Sequence, residues 1–281
     1  MQVAGDSKPS GGFQPIHEAH AIEQVAFLIQ FENSLQDDEF SVVRSQLGPF
    51  QDELPGRAEF QAAFVFGAIS SPGQVSPSQS VGTVLQRVGP DGSIEKELRI
   101  ERNGLTFRSL QYSRWQNVWA SAKRYFEVLG PTYLTRSRLA TVGLTYVDKF
   151  VWGGDMNDCR PGFLLRPDSK YLSPCVYDAG DLWHSHVGAF IRSDGKTRRL
   201  LNVNADCIDE NRPGFSPRRV TAITTALTDM FNQPMFESTK VAPDAFVNFI
   251  ELHMEQLHSF NKEIIGGIIS DEMSARVALK D

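Results

Sequence analysis

The chain has 281 residues, of which 41% are hydrophobic and 22% charged, the balance of a globular protein with a self-sufficient core and not of a disordered or fibrous one. A formal charge of -6, from 28 basic and 34 acidic side chains, excludes a surface that grips nucleic acid or anionic lipid as a whole and leaves room only for a local basic patch. Three cysteines, Cys159, Cys175 and Cys207, make an odd count without CxxC spacing, so neither a disulfide framework nor a thiolate zinc site is signalled. No stretch approaches the roughly 18 apolar residues of a membrane span, and the expectation is a cytoplasmic protein without membrane contact.

Residues 1–15 are rich in Gly, Ser and Pro and read as a flexible lead-in, with no apolar region of a signal peptide. Ile22 to Phe31, dense in Val, Ile and Phe, reads as a strand buried on at least one face. Ser41 to Phe50 reads as a short helix capped by Ser41. Phe60 to Ile69 reads as a second apolar strand, and Pro72, Gly73 and Pro77 make Ser70 to Ser80 a loop. From Val81 the pattern becomes a three-stranded meander with turns at Asp91-Gly92 and Asn103-Gly104, dipeptides that tolerate the positive φ of tight hairpins. Its middle strand carries Glu95, Glu97, Arg99 and Glu101 in one row, expected to face solvent.

Asn103 to Trp152 is the most legible stretch. Ser113 and Gln116 form a capping-box pattern ahead of a helix whose Trp115, Val118, Trp119, Ala122, Phe126 and Leu129 share one face, with Gly130 and Pro131 expected to end it. Arg138 to Trp152 then reads as a long strand with Ala140, Val142, Leu144, Tyr146, Phe150 and Trp152 on one face and Asp148 in the same row. Asp155 to Gly180 has no sustained period and reads as a long excursion, the kind of segment that is often functional.

Leu182 to Arg192 and Thr197 to Ile208 read as a hairpin about Asp194-Gly195, followed by a strand from Arg219 to Met230. Pro243 opens the last long helix, with Phe246, Phe249, Ile250, His253, Leu257, Phe260 and Ile264 on one face, broken near Gly266-Gly267; Ser270 starts a shorter terminal helix. The fold class that follows is α+β: mainly antiparallel sheets packed by long amphipathic helices, in two sheet-plus-helix halves. The halves are residues 16–154 and 155–281, packed as one unit behind the 1–15 lead-in.

Three segments together resemble a sporadically distributed family of bacterial proteins of about this length with no established activity. They are the early buried strand; FRSLQYSRWQNVWASA leading through a helix into RLATVGLTYVDKF; and the C-terminal MEQLHSFNKEIIGGIISDEM. The resemblance implies a prokaryotic, cytoplasmic protein and supplies no substrate or catalytic residue. Where the family's central strand ends in an RYIN-like motif, this chain has Leu144-Thr145-Tyr146-Val147-Asp148, so the Arg and Asn of that motif are replaced. The family's patchy distribution points to mobile elements, defence or toxin-linked operons, by association and not by mechanism.

For chemistry, His184 and His186 stand two apart on a strand and so project to one face, as neutral imidazoles must to share a metal ion; Asp178, Asp181, Asp206 or Cys207 could supply a third ligand. The ordinary alternative is two histidines on the solvated face of a hairpin. Asp148 interrupts an apolar row, which means either a buried carboxylate with a raised pKa or, the preferred reading, a bulge near Gly153-Gly154 that turns it outward. Arg192, Arg198 and Arg219 would form a patch for phosphate or an acidic partner if their strands are neighbours. No GxSxG, P-loop, HExxH or EF-hand loop occurs. The chain therefore reads first as a non-enzymatic protein that binds a macromolecular partner, foremost a protein, or a ligand in the groove between sheet and helix, open to homo-oligomers, and touching nucleic acid only through a local basic patch. The alternative is a metal-dependent hydrolase or nuclease built on His184, His186 and Asp206, and no cofactor is indicated.

Overall fold

The computed structural model describes residues 11–60, 82–192, 195–211, 216–236 and 243–279, without the side chains of Arg192, Gln233, Pro234 and Pro243. The apolar strand expected after Phe60 and the Ser70 to Ser80 loop lie outside the described residues. In chain order the strands are β1 (Phe13–Pro15), β2 (Ile22–Phe31), β3 (Gly56–Phe60), β4 (Gly82–Val88), β5 (Ile94–Glu101), β6 (Gly104–Ser109), β7 (Leu139–Trp152), β8 (Trp183–Arg192), β9 (Thr197–Glu210) and β10 (Arg218–Met235). The helices are α1 (Asp37–Ser45), α2 (Trp115–Leu134), α3 (Pro243–Gly266) and α4 (Asp271–Arg276).

All ten strands join one antiparallel sheet in the order β3-β4-β5-β6-β2-β7-β10-β9-β8, with β1 beside the end of β7. The protein is therefore α+β with a large antiparallel sheet, continuous across β7. That strand pairs along most of its length with β2 on one side and β10 on the other.

Alternation along each strand decides which face is covered. Val142, Leu144, Tyr146, Asp148, Phe150 and Trp152 of β7 are buried, as are Val25, Phe27, Ile29 and Phe31 of β2 and Ile223, Thr225, Leu227 and Asp229 of β10. These rows meet α2 and α3, which lie antiparallel against each other: Trp119 Nε1 and Lys123 Nζ donate to Glu251, and Trp115 stacks flat on His258 at 4.2 Å between ring centroids. The helices thus contribute aromatic rings, and the sheet branched aliphatics and aromatics, to one core. All four tryptophans are buried in it.

Four local expectations change. Residues 13–15 of the lead-in form β1, because Phe13 is buried edge-on against Trp152. α1 begins at Asp37 and not at Ser41: Glu39 reaches back to accept from the Gln36 backbone N–H at 2.9 Å, and the acidic first turn suits the helix dipole. Ser41 sits inside the helix and donates to the Asp38 carbonyl.

α2 begins without a side-chain cap, Ser113 accepting instead from the Asn117 side chain, and it runs through Gly130 and Pro131 to Leu134. Proline this near the end forfeits little of the backbone ladder, and Tyr133 and Leu134, both buried, hold the last turn in the core. Gly130 is there for contact: a Cβ would stand 2.4 Å from the Phe246 ring. On β5, finally, Glu97 is 8% exposed and accepts from Gln86 Nε2 at 2.6 Å, so the middle strand's polar row is partly covered by its neighbours.

Candidate functional site

The sheet sorts the candidate residues onto two faces. His184, His186, Arg198 and Asp206 belong to the face away from the helices, whereas Asp148 and Arg219 belong to the covered face. Residues opposite one another across a strand pair share a face, so no single site can contain both sets.

On the open face His184 lies directly opposite Asp206, and the two are hydrogen-bonded through Nδ1 and Oδ1 at 2.5 Å; His186 lies opposite Asn204, whose amide donates to the other oxygen of Asp206 at 2.9 Å. Two of the three expected metal ligands therefore meet. Among the described residues, however, no group of three His, Cys, Asp or Glu side chains is gathered to hold a metal ion.

The arginine patch does not assemble. Arg198 stands opposite Met230 and Arg219 opposite Asp209, eleven residues apart along β10, roughly 35 Å at the strand rise. Arg219 is 4% exposed and already engaged: it holds Asp209 through two nitrogens and Asp181 at 3.0 Å, with the carbonyls of Met156 and Asp181 as further acceptors. It ties the 155–180 excursion to the sheet. Arg198 is exposed and lies over the Phe190 ring at 5.7 Å. Arg192 ends β8, its side chain outside the described residues.

Asp148 does not turn outward. The register of β7 with β10 is unbroken from Val220↔Val151 to Met230↔Thr141, so the carboxyl keeps its place in the buried row, with Oδ2 making no hydrogen bond among the described residues. Burial alone pushes its pKa up to about 7. Next along the row, Tyr146 Oη meets His258 Nδ1 at 3.0 Å, and burial lowers His258 to about 4. Tyr112 stands edge-on to Tyr146, 6.2 Å between centroids, and burial raises its hydroxyl to about 12. The set Asp148, Tyr146, Tyr112 and His258 is thus a polar cluster, buried at Asp148 and Tyr146 and half-buried at Tyr112 and His258, that holds its members neutral near pH 6.

Sequence reasoning singled out only Asp148 of this cluster. His258 finds its partner, Tyr146, on β7, a contact that its place on the helix does not show. Between β1 and β2 a hydrogen bond from the His17 N–H to the His20 carbonyl closes a turn that brings the two rings to 4.7 Å. A further buried carboxylate, Asp229, was missed altogether. It is fully buried and takes Arg199 through both oxygens, at 2.7 and 2.9 Å, and His253 at 2.7 Å.

Between the sheet and α2 the space is filled by rings over most of its length. It opens as a cleft of about 310 Å³ lined by Lys96 and Ser109 from the sheet, Gln111, Tyr112 and Ser113 from the connection, and Asn117 and Ser121 from α2. Its polar walls suit a small hydrogen-bonding ligand.

The open face is different in character. Ala26 and Leu28 of β2, Thr141, Thr145 and Val147 of β7, and Ala222, Thr224, Ala226 and Thr228 of β10 form adjoining half-buried rows around the buried Gly143, continued by Asn202 and Asn204 of β9. Among the described residues no helix packs on it. No family model, curated protein or solved structure matches the chain, and no described helix is long and apolar enough to cross a membrane.

Proposed function

We propose that this is a non-enzymatic binding protein whose partner, another protein, docks on the open face of the sheet. The observation that carries this reading is the one-sided placement of the helices, beside a broad face of alanine, threonine, glycine and asparagine. Short side chains at the centre of a sheet leave backbone and small polar groups within reach of a partner's larger residues. A protein fits better than nucleic acid, because the net charge is -6 and Arg219 and Arg199 are occupied by carboxylates.

The cytoplasmic setting, the likeness to a sporadic bacterial family and a role in defence or a toxin-linked operon belong to the same proposal. So does an organisation in two halves. β2 is followed by a meander, β4-β5-β6, that returns to pair with it and leads into α2; β7 is followed by β8-β9-β10, which returns to β7 and leads into α3. That order makes β7 the first strand of the second half, earlier than the boundary at residue 154.

The test is recovery of a host partner by the purified chain and its loss on placing a long charged residue in the middle of the face. Ala226→Arg, half-buried on the open side, should abolish recovery while leaving the circular dichroism unchanged. Retention of the partner by a folded Ala226→Arg protein would remove this face as the docking surface.

A further inference from the structure

The two edges of the sheet are built differently. Over its described residues, Gly56–Phe60, β3 carries Glu59 paired with both Arg44 and Arg57; a charged edge resists pairing with another chain. β8 spans ten residues in unbroken register with β9, from Trp183↔Cys207 to Arg192↔Arg198. Between Leu182 and Ile191 it has no proline, lysine or carboxylate. Its backbone makes no hydrogen bond to any segment but β9 among the described residues. From Gly188 to Ile191 it is exposed, with Phe190 at 62% and Ile191 at 37%. Leu182 and Ile208, 50% and 51% exposed, lie at the other end of the same hairpin. At its start β8 is covered by the preceding loop, where the Ser173 N–H donates to Ser185 Oγ and Trp183 and Ser185 are buried; from Gly188 to Ile191 none of the usual protections of an edge strand is present among the described residues.

We propose that β8 is a self-association edge, pairing antiparallel with β8 of a second copy of this chain across a two-fold axis at Gly188. The strand is self-complementary in that register. Phe190 lies opposite His186 of the other copy and Val187 opposite Ala189, so a large exposed ring meets an imidazole and a branched side chain meets a small one. Gly188 faces itself at the axis, where a side chain would already crowd Asn202 Oδ1, 2.9 Å from a built Cβ. No like charges approach each other over the paired stretch. Two ten-stranded sheets would then become one, with both sets of helices on the same side, as an axis normal to the sheet requires. Main-chain bonds supply the affinity and the alternate side chains the register. The contact is small, so a weak dimer populated at micromolar concentrations and above is expected.

Sedimentation of the full chain over a concentration series reads the association directly. The wild type should pass from monomer to dimer, Ala189→Lys and Phe190→Lys should stay monomeric with unchanged circular dichroism, and Ala58→Lys on the β3 edge should dimerise as the wild type does. A second arm needs no loss of function: in a Cys175→Ser background, which removes the exposed thiol, Gly188→Cys should give a covalent dimer on copper-catalysed oxidation. His184→Cys should not, because its two copies would lie roughly 27 Å apart in this register. A wild type monomeric at every concentration, a dimer indifferent to both lysines, or equal cross-linking at both positions would overturn the proposal. So would a monomer that takes up an added extended peptide along β8, which would make another protein the occupant.

Discussion

At the scale of single residues, the buried row of β7 carries two groups whose titrations oppose each other. Asp148 rises from an ordinary 3.8 to about 7, so the folded state holds a proton that the unfolded chain has released, and stability falls as pH rises between those values. His258 drops from 6.5 to about 4; here the unfolded chain holds the extra proton, and stability rises with pH over that range. Between about pH 4 and 6.5 the two slopes cancel. Asp148→Asn removes one of them. Its stability relative to the wild type should be near zero at pH 4 and grow to about 4 kcal/mol in its favour by pH 8, at 1.36 kcal/mol for each pKa unit. Urea denaturation at a series of pH values checks this, and a difference independent of pH would contradict the buried, unpaired placement of the carboxyl. Asp229 behaves in the opposite way. Burial would raise it, but hydrogen bonds from His253 and Arg199 outweigh that and hold it below its ordinary value. Asp229→Asn leaves Arg199 without its buried counter-charge and should cost about 3 kcal/mol, measurable as a fall in the denaturation midpoint.

At the scale of elements, the outcome was decided by which local signals had tertiary support. The strand signals at Ile22 to Phe31 and Arg138 to Trp152 agree with the structure because an alternating apolar row can only be buried one way, and a one-residue slip would expose it. The glycine and proline of α2 were read as a stop because locally they are one. They are overridden by the contact with α3, which lies more than a hundred residues away in sequence. Gly130→Ala tests this at one position: helix propensity favours alanine by about 1 kcal/mol, yet its Cβ would stand 2.4 Å from the buried Phe246 ring, and overpacking of that kind costs about 1–3 kcal/mol. The substitution should lower the thermal midpoint; a rise would mean that Phe246 can move aside.

At the scale of the whole molecule, the α+β class and most strands were legible in the sequence, because each rests on periodicity within a short window. Asp148, His184, His186 and Asp206 were also legible as unusual residues. Their grouping was not. Whether Arg198 and Arg219 converge depends on the register of β9 with β10, which sets them at opposite ends of the sheet. The meeting of His258 with Tyr146 depends on where α3 crosses β7. The sequence by itself determined which faces of the strands and helices are apolar, since that is a local property of side-chain order. Only the tertiary structure decided that the meanders join into a single sheet, that the helices share one face of it, and that the other face and the β8 edge stay uncovered among the described residues. Strand neighbours are chosen by backbone hydrogen bonds that no single side chain encodes, so the surfaces they leave over emerge only once the sheet is assembled.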